Sequence, residues 1–117
     1  MYMPPRERIM ELNRGDSFSK PLFINVGTKL KKRRYILSYD DEVYLSICEP
    51  RQEFERGILR KVFTTKDLNS DGDVVVKLTG SDTEDLVPGL YYMEIKIKLT
   101  NGNMATILPK RKFYINE

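Results

Sequence analysis

The strongest constraint on this chain is an unbroken alternation from Leu90 to Leu99. Tyr91, Met93, Ile95, Ile97 and Leu99 fall on one side, and Leu90, Tyr92, Glu94, Lys96 and Lys98 on the other. Period-two patterning of this length specifies a β-strand with one buried and one wet face. The apolar face of such a strand needs a covering layer, so the segment already calls for a sandwich or a barrel.

Other segments repeat the signal. Pro21 to Val26 reads as a strand with Leu22, Ile24 and Val26 inward. Val43, Leu45 and Ile47 point inward, with Tyr44, Ser46 and Cys48 outward. Val74, Val76 and Leu78 form a third inward row. Arg6 to Asn13 is expected as a first edge strand behind a flexible arm at residues 1–7. Ile58 to Thr64 is another strand. Met104 to Leu108 is a return strand, with Phe113 to Ile115 beyond a break at Pro109. Arg14-Gly15-Asp16, Asp40-Asp41 and Asn69-Ser70-Asp71-Gly72 mark turns. Arg14-Gly15-Asp16 also spells an integrin-binding tripeptide, and it is taken as a turn. Asn101-Gly102 carries the two-residue type I′ hairpin signature. Ser81 to Leu86 fits one helical turn, with Ser81 and Glu84 as a capping box. The expectation is one domain over residues 1–117. Its fold is an all-β, immunoglobulin-like antiparallel sandwich of about seven or eight strands. A small antiparallel barrel is the alternative.

Composition narrows the chemistry. The 117 residues suffice for one core, and there is one cysteine and no histidine. A single cysteine excludes an internal disulfide and any thiol metal cluster. Histidine is the commonest general base near neutral pH and a common zinc ligand, so its absence removes triads and zinc sites. Carboxylates such as Glu42 or Asp82 remain, but no spacing selects a pair. The chain is expected to be non-enzymatic, with no cofactor. No apolar run reaches the ~18–20 residues that span a bilayer, so no membrane is expected. The N-terminus lacks an apolar signal core, and secretion through a signal peptide is not expected.

Four groups are candidates for contact chemistry. Asp67, Asn69, Asp71 and Asp73 match the early positions of an EF-hand loop, but the twelfth position, where a bidentate Glu belongs, is Leu78. They make a weak calcium candidate beside the reading as an Asx-rich hairpin turn. Lys29, Lys31, Lys32, Arg33 and Arg34 form a basic loop able to meet an anionic partner, or a solvated loop or Lys-protected edge. They lack aromatic platforms, and nucleic acid is not the expected partner. Tyr44, Leu90 and Tyr92 are outward apolar and aromatic side chains, hence a candidate interface unless a loop covers them. Cys48 lacks neighbours that would activate its thiol.

The corner Leu86-Val87-Pro88-Gly89-Leu90-Tyr91-Tyr92 resembles the turn before strand F of immunoglobulin-like domains. There a Gly turns the chain and a buried Tyr returns its hydroxyl to the backbone. The order of motifs is more specific: Gly15-Asp16, Leu22 to Val26, Asp41-x-Val43-x-Leu45-x-Ile47, Asp71-Gly72, Val74-x-Val76-x-Leu78, Asp82-Thr83, Leu86, Gly89-x-Tyr91 and Phe113-x-Ile115. Over residues 9–116 this order resembles small structural domains of phages and prophages of Gram-positive bacteria. Among these is the N-terminal domain of the upper baseplate protein of lactococcal-type siphophages. The resemblance implies a non-catalytic virion module of tail, baseplate or head. It would act by protein–protein assembly with other phage structural proteins and as a homo-oligomer. It would be found in the virion or the bacterial host cytoplasm. The other reading is a stand-alone binding module for a carbohydrate, a cell surface or an anionic polymer.

Overall fold

The computed structural model describes residues 10–27 and 30–117, apart from the side chains at positions 26, 27 and 32. The expected N-terminal arm, the start of the first strand, Lys29 and the inward place of Val26 fall outside that description. In chain order the strands are β1 (Met10–Asn13), β2 (Phe18–Pro21), β3 (Asn25–Gly27), β4 (Lys32–Arg34), β5 (Glu42–Cys48), β6 (Leu59–Phe63), β7 (Val75–Leu78), β8 (Gly89–Lys98) and β9 (Met104–Asn116). Short 3-10 turns lie at Phe54–Arg56 and Thr65–Asp67, and one α-helix, α1, spans Gly80–Glu84. The fold is all-β.

A five-stranded sheet in the order β1-β9-β8-β5-β6 forms the main layer. Its centre follows from the alternation. Val43, Leu45 and Ile47 of β5 lie opposite Ile97, Ile95 and Met93 of β8, and all six are buried. Each side chain of this size contributes about 1.5–3 kcal/mol when fully buried. Their cover comes from two antiparallel ladders, β2–β7 and β3–β4, which share the stretch 18–27. The Leu22 N–H donates to the Val74 carbonyl at 2.9 Å, and the Tyr35 N–H to the Ile24 carbonyl at 2.8 Å, lengthening both ladders. Ile24, Val74, Val76 and Leu78 from this cover meet Leu45, Ile95 and Phe113 in one core.

Several local expectations are corrected. The stretch expected as one strand from Pro21 to Val26 is two strands, one ending at Pro21 and one starting at Asn25. Part of the basic run is strand β4, the Lys-protected edge that stood beside the loop as an expectation, because an exposed edge tolerates Arg and Lys. Pro109 does not break the return strand. Met93 faces Arg111, Ile95 faces Leu108 and Lys96 faces Thr106, so β9 carries two extra residues as bulges. A bulge is where a residue without an N–H can sit inside a strand. Gly102 has φ 90, whereas Asn101 is not left-handed, so the β8–β9 turn is not type I′. Gly102 N–H donates to the Leu99 carbonyl and Leu99 N–H to the Asn103 carbonyl, both at 2.8 Å, a turn closed by a Gly bulge. The cap of α1 is Thr79 with Asp82, two residues before the expected box. The hydroxyl of buried Thr83 explains that register: it accepts from Gly15 N–H at 3.0 Å and donates to the Asp16 carbonyl at 2.8 Å. Arg14-Gly15-Asp16 is thus a turn pinned to the helix.

Asp41 is the main polar tie. Its buried carboxylate accepts from Ser38 N–H at 2.8 Å, from the Tyr35 hydroxyl, and from Thr100 N–H and Oγ1 at 2.9 and 3.0 Å. It joins the segment after β4, the start of β5 and the β8–β9 turn. Burial pushes its carboxyl up, but the donors from Tyr35, Ser38 and Thr100 outweigh this and hold it below the usual range. Asp82 is held down in the same sense: burial raises it, and Lys61, at 2.8 Å, and Thr79 overcome that.

A depressed carboxyl stabilises the fold above its unfolded pKa of about 3.9, and that contribution is lost as pH falls through the lower folded value. Asp41→Ala is expected to lower stability by about 3 kcal/mol in urea melts, since it strands buried donors. Asp41→Asn should flatten the acid limb of stability below pH ~4. A melt shifted by no more than a typical surface substitution, or an unchanged acid limb, contradicts this role for Asp41.

Candidate functional site

The outward face of the main sheet carries Tyr44, Leu90 and Tyr92, each half-buried. Tyr44 lies opposite Lys96, while Tyr92 lies opposite Cys48 and Lys112, so the two tyrosines sit at different levels along the sheet. The loop after β5 folds back over part of this face. Phe54 is buried, Ser46 Oγ donates to its carbonyl at 2.7 Å, and Cys48 Sγ donates to the Glu53 carbonyl at 3.4 Å. The Phe54 ring lies 4.7 Å from Lys96 Nζ and 5.4 Å from the Arg60 guanidinium, which also sits 5.8 Å from the Tyr44 ring. Tyr92 lies 5.5 Å from Lys110 Nζ. Tyr44 is thus set apart from Leu90 and Tyr92 along the sheet, beside Lys96 and the Arg60 guanidinium. Ser46 and Cys48 point outward along β5 yet are sealed under the loop.

The other candidates also have structural partners. Asn69 Oδ1 accepts from Asp71 N–H at 2.9 Å and Asp73 N–H at 3.0 Å, closing its own turn. Asp67 Oδ2 accepts from Thr64 N–H at 2.8 Å and faces away into the preceding 3-10 turn. Asp73 pairs with Arg34 at 2.6 Å, and Arg34 also donates to the Asp71 carbonyl. Leu78, in the twelfth position of the loop, is in the core. Among the described residues no cluster of three or more Asp, Glu, Cys or His is placed to hold a metal ion. In the basic run, Arg33 is exposed, Arg34 is engaged with Asp73, and the side chain of Lys32 and all of Lys29 lie outside the described parts. Lys31 also has an interaction partner. The run is therefore not a free cluster of five cations. Among the described residues no helix is long and apolar enough to cross a membrane.

The sequence reading missed one surface. On the outer side of β9, β1 pairs in parallel with residues 113–116. Among the described residues, 104–112 have no ladder partner on that side. Beside this edge the two layers separate into a cleft of about 340 Å³. Phe18, Leu22 and Val76 of the cover, Met93 and Ile95 of β8, Leu108 of β9 and Met10 of β1 line it, with Lys20, Arg111 and Lys112 also on its walls. Further along the edge, Phe23, Ile24, Ile97, Leu99 and Ile107 line a second groove of about 380 Å³. Phe23 is 70% exposed there, which leaves an aromatic ring standing beside the open strand. The run Lys110-Arg111-Lys112 directly after Leu108-Pro109 was the signal in the sequence. No family model matches the chain, and no curated protein sequence matches it.

Gly57 holds the covering loop down, because a Cβ there would lie 2.1 Å from Ser46 Oγ and 2.9 Å from the Ile47 carbonyl. Gly57→Ala is expected to lift the loop and make Cys48 react markedly faster with a thiol reagent than in the native chain. Equal reaction rates would show that the loop does not shield it. Arg34→Ala should lower stability by about 1 kcal/mol, as expected for a half-exposed charged pair. A thermal melt unchanged by the substitution removes Arg34–Asp73 as a tie between β4 and the Asn69–Gly72 turn.

Proposed function

We propose that the chain is a non-catalytic structural module of a phage or prophage particle, of tail, baseplate or head, with an immunoglobulin-like sandwich arrangement. It works by protein–protein assembly, repeated as copies within the particle and in contact with other particle proteins. The observation that carries the reading is the stretch 104–112 of β9, which among the described residues has no ladder partner on its outer side and lies beside an apolar cleft. Exposed strand edges are templates for pairing, and soluble domains usually cover or charge them. The ordered motifs from Gly15-Asp16 to Phe113-x-Ile115 support the phage assignment. The corner supports the immunoglobulin-like arrangement: Tyr91 is buried and its hydroxyl donates to the Val87 carbonyl at 2.6 Å.

The rival reading, a module for an anionic polymer, draws on Lys29 to Arg34. It is weakened by Arg34, whose guanidinium is held by Asp73.

Mass spectrometry of particles induced from the bacterium that carries the gene tests the proposal. The chain should co-purify with the particles in a fixed ratio to other tail or head proteins. Its absence from intact particles, with the chain present in the cell extract, would overturn the reading.

A further inference from the structure

We propose that the dish between the turn at residues 38–42 and the 3-10 turn Thr65–Asp67 binds a neutral saccharide, which stacks a sugar ring on Tyr39. The inference goes beyond the assembly reading and does not depend on it.

The backbone places the two turns side by side. Val43 of β5 lies opposite Phe63 of β6, so residues 39–42 and 64–66 sit together at one end of the sheet. Between them lies a pocket of about 440 Å³, within the size range of small-ligand sites. Internal bonds hold both walls. Asp41 N–H donates to the Ser38 carbonyl at 3.0 Å, and the Asp41 carboxylate ties the same turn to Tyr35 and Thr100. In the second turn Asp67 accepts from Thr64 N–H at 2.8 Å, and Thr64 Oγ1 accepts from Lys66 N–H at 3.3 Å. Walls already fixed lose little freedom when a ligand arrives.

The rim carries groups that the fold does not use. Tyr39 lines the pocket and is 86% exposed. Its hydroxyl, the Asp40 carboxylate, the Thr65 hydroxyl and the Lys66 ammonium form no side-chain hydrogen bond or ion pair among the described residues. A pyranose has an apolar C–H face and a belt of hydroxyls that both donate and accept. The Tyr39 ring offers a flat apolar surface to the first. Lys66 as donor, Asp40 as acceptor and Thr65 as either suit the second.

Charge decides the kind of saccharide. Lys66 offsets Asp40, while Asp41 and Glu42 leave the surroundings negative, so an acidic or sulfated sugar is disfavoured. A cation finds few free ligands. Each Asp41 oxygen already accepts two hydrogen bonds, and Glu42 Oε1 accepts from the Tyr44 hydroxyl at 3.0 Å.

The test applies the labelled full chain to an array of neutral and acidic oligosaccharides. At least one neutral oligosaccharide should be retained more strongly than every acidic one. In titrations with that sugar, Tyr39→Ala should weaken binding about tenfold or more, and Tyr39→Phe, which keeps the ring, by less than about threefold. Tyr39 is almost wholly in solvent, so both variants should melt with the native chain. A second measurement needs no variant: the sugar should shift the amide resonances of residues 39–42 and 64–66 in the native chain. Retention of no neutral oligosaccharide, stronger retention of acidic ones, undiminished affinity in Tyr39→Ala, equal losses in Tyr39→Phe and Tyr39→Ala, or shifts confined to other residues overturns the proposal. So do shifts of these amides with calcium chloride and none with sugar, which would make the pocket a cation site.

Discussion

The structure depends on covering two adjacent apolar rows, Val43-Leu45-Ile47 and Met93-Ile95-Ile97, which lie side by side in the main sheet. Left open, these rows would expose a contiguous apolar face, and closing them is the main source of stability. The cover is assembled from short pieces, β2–β7 and β3–β4, strung on one stretch of chain. Short ladders hold their place poorly alone. Side-chain ties fix them: Arg34 to Asp73 across the cover, Thr83 to the Gly15–Asp16 turn, and Asp41 to Tyr35, Ser38 and Thr100. Among the described residues no buried side-chain polar atom lacks a partner. The ties therefore hold the cover without leaving a buried group uncompensated.

The cover also has an end. It reaches the centre of the sheet but draws away from the middle of β9, where the two bulges around Ile107 and Pro109 bend the strand. β1 protects the last part of β9, and among the described residues the preceding stretch has no partner on its outer side, next to the cleft. The exposed cations Lys110 and Lys112 sit on that edge, a common means of discouraging unwanted pairing between like strands.

Much of the main sheet was legible because β5 and β8 are strictly two-sided, and a shift of one residue would turn every apolar side chain outward. The cover was harder to read. Phe18 and Leu22 belong to a stretch interrupted at Pro21, and β4 is so rich in Lys and Arg that it reads as loop. Two capping boxes overlap, Thr79 with Asp82 and Ser81 with Glu84, and only the contact of Thr83 with a distant turn selects the first. Pro109 read as a break because the local rule about its missing N–H is sound; the bulge that accommodates it depends on pairing with β8. At the candidate interface, the alternation put Tyr44, Leu90 and Tyr92 on the outward face. The loop over Ser46 and Cys48 was invisible, since residues 52–57 have no hydrophobic period. The edge of β9 was equally hidden, because a strand's neighbours are not written in its own residues.

Among the described residues the centre of the sheet is covered, and residues 104–112 of β9 have a ladder partner only in β8. Amide hydrogen exchange of the isolated chain tests this most directly. Slow exchange is predicted for Val43, Leu45, Ile47, Met93, Ile95 and Ile97, and within residues 104–112 alternation between slow amides bonded to β8 and fast amides on the outer side. Uniformly slow exchange along the whole of β9 would mean that the edge is already closed, and would contradict the account.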